Sequence, residues 1–197
     1  DMRDGYAYMK RMIKFLQWQK KEAGYPAERW ILKAPFHVGR IPQLIEAFPD
    51  AMIVQTHRDP IETTPSIASL YTSTWRSTSD PVDPLLVGEQ CLDLWSWGIN
   101  KCLKDRDSGF EDRFIDVLYE DTRKDAMASI EFIYDRLERP LTDAAREAMA
   151  RWGDDNRRDK RAVHSYTLEE FGYDREMIAE AFSDYRERFI IGRAESR

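Results

Sequence analysis

The chain has 197 residues, which is long enough for one domain with a sizeable core and short for two. Its net charge of −6 and its pI near 5.2 argue against nucleic acid or an anionic membrane as the main partner. No apolar run reaches the roughly 18 residues of a membrane span, and no signal-peptide core is seen at the N-terminus. Cys91 and Cys102 lie on one predicted helix, too far apart for a disulfide, so we expect free thiols and a cytoplasmic location.

The order of the predicted elements favours an α/β fold. Apolar runs of strand length occupy residues 30–34, 51–56 and 114–119, and helical periodicity covers residues 4–22, 39–49, 85–103, 125–137, 142–152 and 174–191. A strand, a helix and a second strand in succession are typical of parallel pairing with helices over the sheet. The prediction is one domain over residues 1–197, with a three-layer, mainly parallel sheet flanked by helices.

Polar residues follow the first two predicted strands. Lys33 and His37 come after the first strand, Arg58 comes after the second, and Ser66 lies in the helix that follows. The carboxyl ends of parallel strands form the ligand-binding edge of such sheets. We therefore expect these four side chains to face one ligand.

The helix after Arg58 has two candidate starting points. Either Asp59 is the cap and Pro60 the first helical residue, or Thr64-Pro65 has those roles, because proline in a helix interior costs about 3 kcal/mol. In both cases Ser66 lies early in a helix, where an anion is favoured. Arg58 would add a planar fork of donors, so the pair predicts a phosphate clamp. The competing interpretation is a surface arginine and a capping serine.

Two sequence motifs carry a family resemblance. They are Leu32-Lys33-Ala34-Pro35-Phe36-His37 and His57-Arg58-Asp59-Pro60, the second followed by Ser66-Ile67-Ala68-Ser69-Leu70. The chain resembles the sulfotransferases that use 3′-phosphoadenosine 5′-phosphosulfate (PAPS), in particular their bacterial branch with LK-P-H and THRDP-SxxSL motifs. The implied fold is the P-loop NTPase-like sulfotransferase fold. The implied activity is transfer of a sulfuryl group from PAPS to a hydroxyl of a small molecule, lipid or sugar. With three His, two Cys and no close spacing among them, the sequence indicates no metal site.

The resemblance also implies roles for individual residues. Arg58 and Ser66 would bind the 3′-phosphate, and Tyr119, in Tyr119-Glu120-Asp121, would lie near the adenine. His37 would be the base that takes the acceptor's proton, and Lys33 would stabilise charge near the sulfuryl group. A basic C-terminal cluster would also contact the 3′-phosphate: Arg157, Arg158, Lys160 and Arg161.

Each of these roles has an alternative in which the residue contacts no ligand. His37 can be a structural histidine bonded to a backbone carbonyl, Tyr119 a half-buried packing residue, and the basic cluster a solvated surface run. His57 should point away from Arg58, because side chains alternate along a strand, and is interpreted as a packing residue or as one that supports the site from behind without touching the ligand.

One part of the family pattern has no counterpart before Trp30. The family grips phosphosulfate with an N-terminal strand, loop and helix, whereas only a helix is predicted here. The sequence therefore looks like the C-terminal two-thirds of a sulfotransferase. The alternative function is a non-catalytic module, or inactive fragment, that binds the 3′-phosphoadenosine nucleotide. A P-loop kinase lacks support, because no G-x-x-x-x-G-K-[ST] motif occurs.

Overall fold

The computed structural model describes residues 1–26, 29–156 and 165–192. The predicted basic cluster of Arg157, Arg158, Lys160 and Arg161 lies outside the described residues. The strands are β1 (Ile53–His57) and β2 (Phe114–Leu118), and the α-helices are α1 (Arg3–Glu22), α2 (Ile41–Ala47), α3 (Pro60–Trp75), α4 (Pro84–Asp105), α5 (Tyr119–Lys124), α6 (Ala126–Arg136), α7 (Asp143–Asp155), α8 (Arg175–Ala181) and α9 (Ser183–Arg186). The chain divides into two compact units. Residues 1–51 and 97–113 form unit 1, and residues 52–96 and 114–197 form unit 2.

The sheet belongs to unit 2 and is parallel. β1 pairs with β2 from Ile53 opposite Phe114 to His57 opposite Leu118. Their carboxyl ends therefore meet at one edge, where α3 follows β1 and α5 follows β2. The helix-rich chain with a small parallel sheet confirms the α/β class, and the strands predicted over residues 51–56 and 114–119 are present.

The strand predicted over residues 30–34 is wrong. These residues have no strand conformation, and the sheet formed by the described residues contains only β1 and β2. Ile31 is 94% exposed and Leu32 is 41% exposed, whereas strands of parallel sheets are buried on both faces. An apolar run of suitable length becomes a strand only where a neighbouring strand pairs with its backbone groups.

Unit 1 is built on α1 and α2. The first helix buries Tyr6, which is 1% exposed, on the predicted apolar stripe. Two polar contacts join the helices: Lys10 Nζ donates to the Ala47 carbonyl over 2.8 Å, and Arg3 Nε donates to Glu46 over 2.9 Å. Tertiary contacts of this kind stabilise α1, because its other apolar side chains are largely half-buried or exposed.

Unit 2 packs its C-terminal segment against α3 and α4. The α8 helix contacts α3, and the Tyr173 hydroxyl donates to the Gly88 carbonyl on α4 over 2.6 Å. Thr167 and Glu170 form the predicted capping box, each accepting the other's backbone N–H. The helix predicted over residues 174–191 is interrupted at Phe182, whose backbone (φ −119°, ψ 26°) separates α8 from α9.

The described helices are all too short or too polar to cross a membrane. Cys91 and Cys102 both lie buried on α4 and neither is in a disulfide, as predicted. Burial raises the pKa of the Cys91 thiol to about 11.

Candidate active site

The turn between β1 and α3 is fixed by Asp59. Its side chain caps α3 by accepting the Ile61 N–H at 3.0 Å, and its carbonyl accepts the N–H groups of Glu62 and Thr63. The start at Asp59 is therefore confirmed, and the alternative start at Thr64-Pro65 is wrong. Because Pro60 has no N–H and Asp59 takes the N–H groups of the next three residues, an anion at the start of α3 would be bound by side chains.

Arg58 lies in this turn, one-third exposed, and its guanidinium contacts two neighbouring side chains. Its Nε donates to a Glu62 carboxylate oxygen over 2.9 Å, and its Nη2 lies 2.8 Å from the same oxygen. The guanidinium carbon stands 4.6 Å from the centre of the Tyr119 ring, within the range of a cation–π contact. Unit 2 thus brings together Arg58 and Tyr119, the residues predicted to bind phosphate and adenine.

Ser66 lies on α3, one turn after Glu62. Residues four apart share a helix face, so Glu62 and Ser66 lie on the same side of α3. The Ser66 side chain is half-buried, and in the described part of the chain its hydroxyl has no hydrogen-bond partner. A hydroxyl of this kind can serve a ligand as donor or acceptor.

His57 has the packing role predicted for it. Its ring is buried, with Nε2 2.8 Å from the Asp116 carboxylate and Nδ1 3.0 Å from the Tyr185 hydroxyl. The ring also stacks on Phe189 at 4.1 Å. These contacts hold the last residue of β1, directly before Arg58.

His37 belongs to unit 1, in a single helical turn over residues 35–37. Its Nδ1 lies 3.0 Å from the Tyr6 hydroxyl, so the predicted structural alternative, a bond to a backbone carbonyl, is not what the ring makes. Among the described residues no hydrogen-bond partner is found for its Nε2. Burial, with a smaller effect of the nearby Arg40 guanidinium, holds the pKa of His37 below its ordinary value. A half-buried neutral imidazole with one unoccupied nitrogen can accept a proton.

The turn that carries His37 is set by a close backbone approach. Gly39 has a left-handed backbone (φ +79°), and a Cβ there would lie 3.1 Å from the Gly98 Cα and 3.2 Å from the Trp97 ring. Only glycine accommodates both conditions without strain.

Lys33 is exposed on the segment before this turn, and within the described residues its side chain has no ion-pair or hydrogen-bond partner.

Four residues next to these side chains were missed by sequence reasoning: Tyr6, Glu62, Tyr185 and Arg186. Glu62 lies in the first turn of α3, four residues after Arg58, and this spacing is a signal that could have been used. Tyr6, Tyr185 and Arg186 are far in sequence from their partners, and no local pattern indicates such contacts. In the described ranges, His, Cys, Asp and Glu side chains form no group that could hold a metal ion.

Most of the chain matches a known protein family in sequence. Residues 2–143 match the model described as "Sulfotransferase family". The chain belongs to the sulfotransferase family. No curated protein is similar enough to the chain in sequence to count as a match.

Two solved sulfotransferases share the fold. The structure of sulfotransferase STF9 from Mycobacterium avium is 27% identical, with a TM-score of 0.85 over 97% of this chain and 48% of that chain. The structure of sulfotransferase STF1 from Mycobacterium tuberculosis H37Rv is 31% identical, with a TM-score of 0.68 over 79% of this chain and 40% of that chain. This chain therefore spans less than half the length of either protein, and its α/β fold is that of sulfotransferases.

Proposed function

We propose that this sulfotransferase-family chain is a single domain that moves a sulfuryl group from PAPS to a hydroxyl of a small molecule, lipid or sugar. The observation that carries the proposal is the pairing of Arg58 with Tyr119 at the carboxyl edge of the sheet. A planar cation stacked on an aromatic ring is suited to a nucleotide that carries a phosphate next to its base.

The donor sites available at Arg58 fit a 3′-phosphate. Glu62 engages Nε and Nη2, so other N–H groups of the guanidinium remain for the ligand. The Ser66 hydroxyl, on the same face of α3 as Glu62, would add a further bond, and Tyr119 would pack against the adenine. The exposed Glu62 ion pair is worth only about 0.3–0.5 kcal/mol, so a phosphate can compete for Arg58.

In the chemical step the acceptor oxygen would attack the sulfur, and the bond between sulfur and the bridging oxygen of the phosphosulfate would break. The products are the sulfated acceptor and adenosine 3′,5′-bisphosphate. In our proposal the acceptor's proton goes to Nε2 of His37, and the Lys33 ammonium stabilises the developing negative charge. This role requires that Nδ1 carry the other proton and donate it to the Tyr6 oxygen, 3.0 Å away.

A second candidate is a module that binds the 3′-phosphoadenosine nucleotide without turnover. The contact between Arg58 and Tyr119 in unit 2 would be sufficient for this function. Both candidates require the nucleotide site in unit 2.

The nucleotide site is tested by calorimetric titration of the chain with adenosine 3′,5′-bisphosphate and with adenosine 5′-monophosphate, which lacks the 3′-phosphate. We expect wild type to prefer the bisphosphate. Arg58→Ala should weaken the binding of the bisphosphate by about 10- to 100-fold, since hydrogen bonds to charged groups contribute about 1.5–3 kcal/mol. Ser66→Ala should have a smaller effect in the same direction.

The matched control is Arg76→Ala, which removes an arginine at the other end of α3. It should leave both affinities unchanged. Equal binding of the two nucleotides by wild type, or an Arg58→Ala variant that keeps the preference, would refute the site.

A further inference from the structure

Both sequence neighbours of Arg58 are held by one short stretch of the C-terminal segment. His57 Nδ1 lies 3.0 Å from the Tyr185 hydroxyl. Asp59 accepts two bonds from Arg186, from Nε over 3.0 Å and from Nη2 over 3.1 Å. Two consecutive residues of α9 therefore reach the residues on either side of Arg58.

On the strand side the contact is buried. His57 is 1% exposed, and its second ring nitrogen lies 2.8 Å from Asp116 on the neighbouring strand. The Tyr185 hydroxyl, bonded to the first nitrogen, completes a chain from β2 through β1 to α9. A buried hydrogen-bonded network of this kind leaves the last residue of β1 little freedom.

On the helix side the contact is a bidentate ion pair. The Asp59 oxygen that caps α3 at the Ile61 N–H also accepts Arg186 Nε, and the second oxygen accepts Nη2. The side chains of Arg186 and Asp59 are 19% and 25% exposed, so the pair is only partly screened by solvent. Arg186 thus fixes the residue from which α3 begins.

The interruption of the C-terminal helix at Phe182 permits this arrangement. It starts a new helix, α9, at Ser183, three residues before Arg186. Consecutive helix residues project about 100° apart, so Tyr185 and Arg186 can diverge toward different partners. Tyr185 is itself 4% exposed, and its ring lies 5.4 Å from that of Phe189.

We propose that Tyr185 and Arg186 are positioning residues for phosphate binding. They fix His57 and Asp59, and thereby the backbone position from which the Arg58 guanidinium reaches the phosphate. The proposal rests on the proposed nucleotide site. Arg58 has no rigid element of its own, since it lies between the end of β1 and the start of α3. The position of its backbone depends on the residues that flank it, whereas Glu62 and Tyr119 contact its guanidinium. Misplacement of a binding group by about 1 Å can cost up to about 100-fold.

The test compares Tyr185→Phe, Arg186→Lys and Arg186→Gln with two matched controls. Tyr173→Phe removes a buried hydroxyl bond of the same C-terminal segment, and Arg146→Gln removes an ion pair between α6 and α7. The readout is the preference for adenosine 3′,5′-bisphosphate over adenosine 5′-monophosphate. We expect Tyr185→Phe and Arg186→Gln to reduce that preference about 10-fold, and the controls to keep it. Arg186→Lys, which can offer a single ammonium to Asp59, should fall between wild type and Arg186→Gln.

If Tyr185 and Arg186 had a merely structural role, their substitution would lower the melting temperature or weaken the binding of both nucleotides equally. The ratio of the two affinities would then stay unchanged. If wild type prefers the bisphosphate and the Tyr185 and Arg186 variants keep that preference, the positioning role is overturned while the nucleotide site stands. If wild type shows no preference, the nucleotide site itself fails.

A second readout needs no ligand. The Arg58 Nε–H, which donates to Glu62, can be followed by nitrogen-15 NMR of arginine side chains. Its exchange with water should be faster in Arg186→Gln and Tyr185→Phe than in wild type and the two controls. Unchanged exchange in both variants would overturn the positioning role.

Discussion

The ionisation of His37 depends on two neighbouring features of unit 1. Burial removes water from the ring and disfavours the imidazolium, and the Arg40 guanidinium adds a smaller repulsion in the same direction. Arg40 is held beside the turn, because its Nη1 donates to the Phe36 carbonyl over 2.9 Å and its guanidinium lies 5.6 Å from the Trp97 ring. The neutral form of His37, which a base requires, is therefore the form present at neutral pH.

We predict that Arg40→Gln raises the pKa of His37 toward its ordinary value while burial keeps it below. The measurement is a proton–nitrogen NMR titration of the imidazole, with Arg11→Gln as the control, since Arg11 contacts Tyr8 on α1. A folded-state pKa below the unfolded value means that the unfolded chain binds the proton more tightly. The stability that His37 contributes is therefore present above about pH 6.5 and is lost as the pH falls through its folded pKa. An unchanged pKa in Arg40→Gln would contradict the electrostatic argument.

At the scale of elements, α4 approaches the C-terminal segment of unit 2 more closely than a side chain permits. A Cβ on Gly88 would lie 2.1 Å from the Phe171 carbonyl oxygen and 3.0 Å from the Phe171 Cβ. The Tyr173 hydroxyl bond to the Gly88 carbonyl closes the same contact. Here glycine is required by packing and not by backbone conformation.

We therefore predict opposite effects of the same substitution in two helices. Alanine is favoured over glycine inside a helix by about 1 kcal/mol, so Gly153→Ala on α7, where a Cβ meets nothing within 4 Å, should stabilise the protein. Gly88→Ala should destabilise it by about 1–3 kcal/mol, because the backbone must shift to relieve the overlap. Urea unfolding of both variants checks the signs, and stabilisation by Gly88→Ala would show that the two segments do not pack as described.

The elements that the sequence predicts well are those that local forces decide. α3 begins at Asp59 because the cap and the following proline lie next to each other in the chain, and β2 is an apolar run with a pairing strand. The run over residues 30–34 has the same composition, but composition does not show whether a partner strand exists. Likewise, the side chain of Phe182 fits the helical spacing of apolar residues, although its backbone interrupts the helix.

Across the whole molecule, the success of sequence reasoning depends on separation along the chain. Motif residues such as Arg58 could be located from short-range spacing together with the family resemblance. The contacts of Tyr185 and Arg186 with the turn around Arg58 span 128 and 127 residues. No periodicity carries information over that separation, so only the folded chain shows that its C-terminal segment contacts the turn around Arg58.

At the same scale, an enzyme and a binding module differ in one requirement: turnover needs the proposed base, His37, whereas nucleotide binding needs only the proposed site at Arg58 and Tyr119. The measurement is transfer of sulfur-35 from labelled PAPS to a phenol, a primary alcohol and a monosaccharide. For an enzyme we expect turnover by wild type and a loss of about 100- to 10,000-fold in His37→Gln, the range typical of general base catalysis. Affinity for adenosine 3′,5′-bisphosphate should be unchanged in that variant, because His37 is not among the residues of the proposed nucleotide site. Bisphosphate binding by wild type with no transfer to any acceptor would instead identify the chain as the binding module, and full activity of His37→Gln would exclude His37 as the base.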